Sequence, residues 1–315
     1  MLRRPQPLKK GDQIAVLAPS SPVSKEAAAL AADSIRYLEL EPLIMESCFL
    51  SCGYLSGPDE KRAYDINRAF TDPAVQGIFC IRGGYGCARL LPLLNFDAIR
   101  RHPKVFVGFS DITALHLAFN QLCGFVTFHG PMPGAGYNRL DPFSVASLKK
   151  NLFSDQPQGA VINPPGHPLN VLFPGQASGA VVGGNLSLLI STLGSPYEVD
   201  TKDKILFIEE VGEQPYRLDR ALTALSLSGK LRDCSGILLG SFTKCQEPPA
   251  AADSNRMQTA ESSFHLTNMF KEIIGPWEKP TLYNLRAGHI DPQITIPLGA
   301  EASFDTDRLS LHFSG

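Results

Sequence analysis

The sequence holds little of what would assign it to several large functional classes. Among 315 residues, 29 lysines and arginines stand against 31 aspartates and glutamates, a formal net charge of −2. So balanced a chain has neither the basic footprint of a nucleic-acid binder nor an acidic tail. A small molecule or a peptide is the expected partner, with no nucleic acid and no membrane. No apolar run approaches the roughly 20 residues that span a bilayer; IAVLA at 14–18 is far too short. The opening MLRRPQPLKKGDQIAVLAPSSP has two basic pairs but neither the apolar run nor the cleavage site of a signal peptide. A soluble cytoplasmic protein is expected. The seven cysteines are odd in number and contain no C-x-x-C pair. They read as buried free thiols of a reducing compartment. No His/Cys cluster has ligand spacing, so neither metal nor cofactor is expected.

What is present is a regular alternation. IAVLA at 14–18, LIM at 43–45, GIFCI at 77–81, VFVGF at 105–109 and FVTFHG at 125–130 read as buried strands. Between them, 25–40, 58–72 and 111–122 have helical composition or period. The second of these starts with proline and acids, as a helix N-terminus should. Strands spaced by helices predict an α/β fold, a parallel sheet flanked by helices. The stretch QGAVINPPGHPLNVLFPGQASG is rich in proline and glycine and lacks a helical period. It predicts a domain connection, dividing the chain into 1–160, a linker at 161–178, and 179–315. Beyond it, 179–184, 204–211, 236–242, 293–299 and 308–313 read as strands and 216–231 as a helix. The second domain should therefore be smaller, α+β and rich in strands. CQEPPAAADSNRMQTAESS, 245–263, reads as an exposed loop.

Chemistry concentrates at the ends of the strands. In KVFVGFSDITALHLAF a buried strand runs into Gly108-Phe109-Ser110-Asp111 and a helix starts at once. Such a turn presents a side chain from the carboxyl edge of the sheet, at a helix N-terminus that favours negative charge. This is the physics of a nucleophile elbow, in which the next backbone N–H, here that of Asp111, can hold an oxyanion. A simple helix cap by Ser110 or Asp111 fits the same residues, and the pattern G-x-S-x-G is absent. Arg82-Gly83-Gly84-Tyr85-Gly86 follows a neighbouring strand, and adjacent glycines let backbone approach a ligand. It can supply a second oxyanion donor near Gly84 or cradle a phosphate, though it lacks the Lys-Ser/Thr ending of a P-loop. Among the histidines, His129, which ends a strand, and His289, which follows a strand and a glycine, are near-equal candidates for a base; His116 falls mid-helix. KILFIEEVGE drives a strand into Glu209-Glu210, whose side chains must point to opposite faces, so one of them at most need face a site.

Eight segments in order resemble one family: GDQIAVLAPSSPV, IRGGYGCARLLPLL, VFVGFSDITALH, FHGPM, GGNLSLL, FIEEVGEQPYRLDRALTALSLSGKL, GILLGSF and LRAGHIDPQITIPLGAEASFD. They resemble the LD-carboxypeptidases, serine peptidase family S66, which also includes the microcin C self-immunity peptidases. The resemblance covers residues from about 10 to 307. It implies a triad of Ser110 as nucleophile, Glu209 as acid and His289 as base, and so selects His289 over His129. It implies an oxyanion region at Asp111 and Gly83–Gly84, and a substrate-side place for Asn185. The implied substrate is a murein tetrapeptide that loses its terminal D-alanine, and the implied assembly is a homodimer. For that substrate Arg82 could pair with the terminal carboxylate, Glu213 could meet an ammonium, and Tyr85 could form an apolar wall. Family members often have Glu-Asp where this chain has Glu209-Glu210, and the 245–263 loop is longer than usual. The same fold and triad acting on another amide, as in peptide-antibiotic self-immunity, is the alternative; a nucleotide binder and a non-catalytic wall-peptide binder are more distant ones.

Overall fold

The computed structural model describes residues 1–246 and 265–314. The stretch expected as an exposed loop, 245–263, lies outside the described residues except for its first two. The strands are β1 (Gln13–Leu17), β2 (Glu41–Ile44), β3 (Val75–Cys80), β4 (Val105–Gly108), β5 (Thr127–His129), β6 (Gly159–Val161) and β7 (Asn170–Phe173). They continue with β8 (Gln176–Asn185), β9 (Ile205–Val211), β10 (Gly236–Thr243), β11 (Thr281–Tyr283), β12 (Ile296–Leu298), β13 (Glu301–Asp305) and β14 (Ser310–Phe313).

The first sheet has the order β12-β5-β4-β3-β1-β2. All its pairings are parallel except that of β12 with β5. Its central strands are buried on both faces, which is why they read as unbroken apolar runs. Helices cover them for local reasons. The helix Lys25–Tyr37 is capped by the Ser24 side chain, which accepts from the Ala27 N–H, and it buries Ala28, Ala31, Ala32 and Ile35. The helix Asp59–Thr71 follows Pro58, carries two acids in its first turn and buries Ala63, Ile66, Ala69 and Phe70.

The strand order reverses on either side of β1, since β2 and β3 flank it. In open sheets of this kind, ligands bind at the carboxyl ends of strands where the order reverses. The glycine turn follows β3 and Ser110 follows β4, both at that edge.

The second sheet has the order β6-β14-β13-β8-β9-β10-β11-β7, with β8, β9, β10 and β11 parallel and the rest antiparallel. Expectation and structure thus agree on an α/β architecture with a second, strand-rich part. The two parts share a core, in which Val107 and Phe128 of the first sheet join Phe207, Leu285 and Ile296 in one buried cluster. We propose a division into two units near residues 161–178. That stretch is more than a connection, because β7 lies within it and pairs with β11. Several features escaped the sequence reading, among them the helix Leu266–Ile274. β13 is short and half polar, the helix Pro142–Leu152 has a weakly apolar face, and β12 returns from the second half to edge the first sheet.

Candidate active site

Ser110 opens the turn Ser110–Ile112, which one residue separates from β4 and which leads into the next helix. Its φ is +66°, the left-handed region that L-residues avoid. Holding a serine there costs on the order of 1–3 kcal/mol and is a mark of a strand-to-helix elbow. The glycine turn packs directly on it. A Cβ built on Gly83 would stand 2.8 Å from Ser110 Cβ and 2.9 Å from Ser110 Oγ, so only glycine fits. Gly84, at φ +125°, turns the chain away toward Ser21.

Two buried side chains fasten this turn to the elbow. The Asp111 carboxylate accepts from the Ser20 hydroxyl at 2.6 Å and from the Cys87 N–H at 2.8 Å. Arg62, wholly buried in the first turn of its helix, donates to the carbonyls of Pro19 and Gly86 and pairs with Asp59. The Asp111 side chain is therefore a tie, and only its backbone N–H, without an intrahelical partner at a helix start, is free to face a ligand. Sequence reasoning missed Arg62, whose one signal is a charge on the apolar stripe of its helix.

Glu209 and Glu210 end β9 and point to opposite faces, as strand alternation requires. Glu210 is saturated: it accepts from Asn185 Nδ2, Ser187 N, Ser187 Oγ and Val211 N at 2.7–2.8 Å. Glu209 is fully buried and accepts from His289 Nδ1 at 2.7 Å and from the His289 backbone N–H at 3.3 Å. Burial works to raise its pKa, but the imidazoles of His129 and His289 outweigh burial and hold it down at about 2. An ionised Glu209 makes His289 Nδ1 a donor, which leaves Nε2 of the neutral ring as an acceptor.

The loop carrying His289 lies along β10, with Ser241 N–H donating to Ala287 O and Arg286 donating to the carbonyls of Asp291 and Pro292. Gly288, at φ +106°, brings this backbone close; a Cβ there would fall 2.5 Å from Glu209 Oε2.

Ser110 and His289 line one cleft of about 610 Å³ together with Arg82, Gly83, Gly84, Phe109, Met132 and Gln293. The His289 ring stands 4.8 Å from that of Phe109, next to Ser110. Among the described residues no hydrogen bond joins Ser110 to His289; such bonds are often long before substrate binds.

Of the other residues singled out, Arg82 lines the cleft and has no acidic partner among the described residues, its Nε donating to Gly83 O. Tyr85 is half exposed and rests on Tyr54 rather than in the cleft. Asn185 is buried, capping the helix Leu186–Ser191 and bonding Glu210, also outside the cleft. Glu213 lies near Arg217, at 3.5 Å, and does not line the cleft either. His116 is buried, donates Nε2–H to Gly108 O at 2.9 Å and is pushed down to about 3 by burial, so it is a neutral core residue. His129, the near equal of His289 by sequence, is buried behind Glu209.

A serine on a strained elbow, sharing a cleft with a carboxylate-bound imidazole, is the arrangement of a serine hydrolase. The family description "LD-carboxypeptidase N-terminal domain" matches residues 14–130, and "LD-carboxypeptidase C-terminal domain" matches residues 178–304. The chain belongs to this family, serine peptidase family S66, and is a serine carboxypeptidase. It is 39% identical to the "Probable murein peptide carboxypeptidase" of Bacillus subtilis (strain 168), over 96% of this chain and 92% of that one. It is 34% identical to the "Murein tetrapeptide carboxypeptidase" of Pseudomonas aeruginosa, over 81% of each. Its fold matches that of the microcin C7 self immunity protein MccF in complex with aspartyl sulfamoyl adenosine, with a TM-score of 0.87 at 23% identity, covering 100% of this chain and 98% of that one.

Proposed function

We propose that this chain removes the terminal D-alanine from murein tetrapeptides by an acyl-enzyme mechanism, with Ser110 as nucleophile, His289 as base and Glu209 as the orienting acid. The observation that carries this reading is the hydrogen bond from part-buried His289 to buried Glu209, at the cleft that holds Ser110. His289 Nε2 takes the Ser110 proton as Oγ attacks the carbonyl carbon. Backbone N–H groups at Asp111 and at the Gly83–Gly84 turn hold the oxyanion; one such donor contributes about 2.7–4 kcal/mol to lowering a barrier. His289 returns the proton to the departing D-alanine amine, and water then cleaves the ester by the same route. Glu209 keeps the ring in its Nδ1–H tautomer and stabilises the imidazolium.

Arg82, a cleft cation without an acidic partner among the described residues, pairs with the carboxylate of the departing D-alanine. A cytoplasmic location, a homodimer and a role in peptidoglycan recycling belong to the same proposal.

Mass spectrometry of a murein tetrapeptide incubated with wild-type and Ser110→Ala protein tests it. Tripeptide plus D-alanine from the wild type alone is the expected result. Equal turnover by the variant removes Ser110 as nucleophile. An intact tetrapeptide, beside cleavage of an aminoacyl sulfamoyl nucleoside, would replace the substrate with that of the self-immunity class.

A further inference from the structure

Behind the triad lies a second imidazole that the mechanism above does not use. His129 ends β5, in register with Gly108 of the elbow strand and with Ile296 of β12, so its backbone is fixed on both sides. Its ring is fully buried. It is boxed by Phe207 at 5.1 Å and nearly perpendicular, by Phe109 at 5.6 Å and by His116 at 6.4 Å. His129 Nε2 stands 3.9 Å from Glu209 Oε1. Among the described residues neither of these atoms, nor His129 Nδ1, has a hydrogen-bond partner. Buried polar atoms are seldom left so, and here two of them face each other in a site where both side chains are fully buried.

The other oxygen of Glu209 is already taken, because Oε2 accepts from both nitrogens of His289 that can reach it. A carboxylate held by one oxygen can still swing about its last torsion. A donor facing the second oxygen removes that freedom. We propose that His129 is a positioning residue for the acid: its Nε2–H faces Glu209 Oε1 and fixes the carboxylate so that Oε2 stays on His289 Nδ1. At 3.9 Å the interaction is electrostatic rather than a direct hydrogen bond, and the low local dielectric strengthens it. The groups facing the His129 ring are consistent with this. Phe109 and Phe207 are apolar, His116 is neutral, with Nε2–H on Gly108 O and Nδ1 on Thr127 Oγ1, and Glu209 carries the negative charge. The low pKa of Glu209 accords with two imidazoles turned toward it.

This inference rests on the proposed triad. Its test pairs His129→Phe, which keeps a ring and removes both nitrogens, with His129→Gln, which keeps an N–H donor. His129→Phe should lower kcat on murein tetrapeptide by about 10- to 100-fold, the scale of a small misplacement at a reacting group. KM should stay within about twofold, and the acid limb of the pH profile should move up. His129→Gln should regain most of the loss and restore the limb. A His129→Phe enzyme with wild-type kcat, or a glutamine variant as impaired as the phenylalanine one, overturns the proposal.

If the variants do not fold, ring-nitrogen NMR of the wild-type protein decides. The Nε2–H tautomer at His129 supports the proposal and the Nδ1–H tautomer sinks it. Failure of the wild type to cleave any murein tetrapeptide would count against the proposed substrate, while the tautomer found at His129 still decides the positioning role.

Discussion

Replacing Ser110 by glycine should make the protein more stable than replacing it by alanine, although both changes remove the proposed nucleophile. The reasoning starts from the φ of +66° at this residue. Alanine keeps the Cβ and therefore the left-handed penalty, about 1–2 kcal/mol for an L-residue. Glycine escapes that penalty but loses more backbone freedom on folding, about 0.5–1 kcal/mol. The hydroxyl itself has no hydrogen-bond partner among the described residues, so Ser110→Ala isolates its loss. The balance is roughly 0.5–1 kcal/mol in favour of Ser110→Gly over Ser110→Ala. Equilibrium urea unfolding of the two variants under one set of conditions reads this as a difference in midpoint at unchanged slope. A glycine variant with a midpoint at or below that of the alanine variant would refute the claim that the elbow stores strain.

The two adjacent acids of β9 should separate by effect. Glu209→Gln should lower kcat by about 10³–10⁴-fold with KM little changed, because a neutral amide cannot hold His289 in the required tautomer. Glu210→Gln should leave kcat close to wild type and lower unfolding stability by about 1–3 kcal/mol, since donors now bonded to its carboxylate are left unpaired. Acid should also weaken the fold through Glu209. Its folded pKa, about 2, lies below the ordinary value of 4.5, so the stabilisation is complete above about pH 4.5 and is lost as the pH falls through about 2. The loss is on the order of 3 kcal/mol, and Glu209→Gln should show a shallower decline in urea midpoint over that window.

Legibility from the sequence followed from how local each signal is. The central strands of the first sheet are buried on both faces, and burial wrote them as unbroken apolar runs. The elbow was legible because a strand, a serine and a helix occupy one short stretch. The two acids were legible as pointing apart, because alternation is a property of the strand itself. The choice between His129 and His289 was not legible from residue physics, since each lies at or just beyond a strand end and the acid near both, Glu209, is distant in sequence from each. Resemblance to a family made that choice. Arg82, Tyr85, Asn185 and Glu213 illustrate the same limit. Each has a side chain suited to a ligand, yet of the four only Arg82 lines the cleft. Tertiary packing turned Asn185 into a helix cap and set Glu213 beside Arg217.

The site is distributed so that no single element can assemble it. Ser110 and the glycine turn leave the carboxyl edge of the first sheet, whereas Glu209 ends a strand of the second and His289 rides on the loop after β11. What registers the two halves is the antiparallel pairing of β12 with β5, which sets Ile296 opposite His129. That pairing puts a histidine of the first sheet against an acid of the second, 3.9 Å apart at the shared core. A slip of β12 by one residue would turn its side chains to the other face and shift the chain that follows His289. The edge strand thus ties the chain that carries His289 to the sheet that carries Ser110, even though none of its own residues touches the cleft.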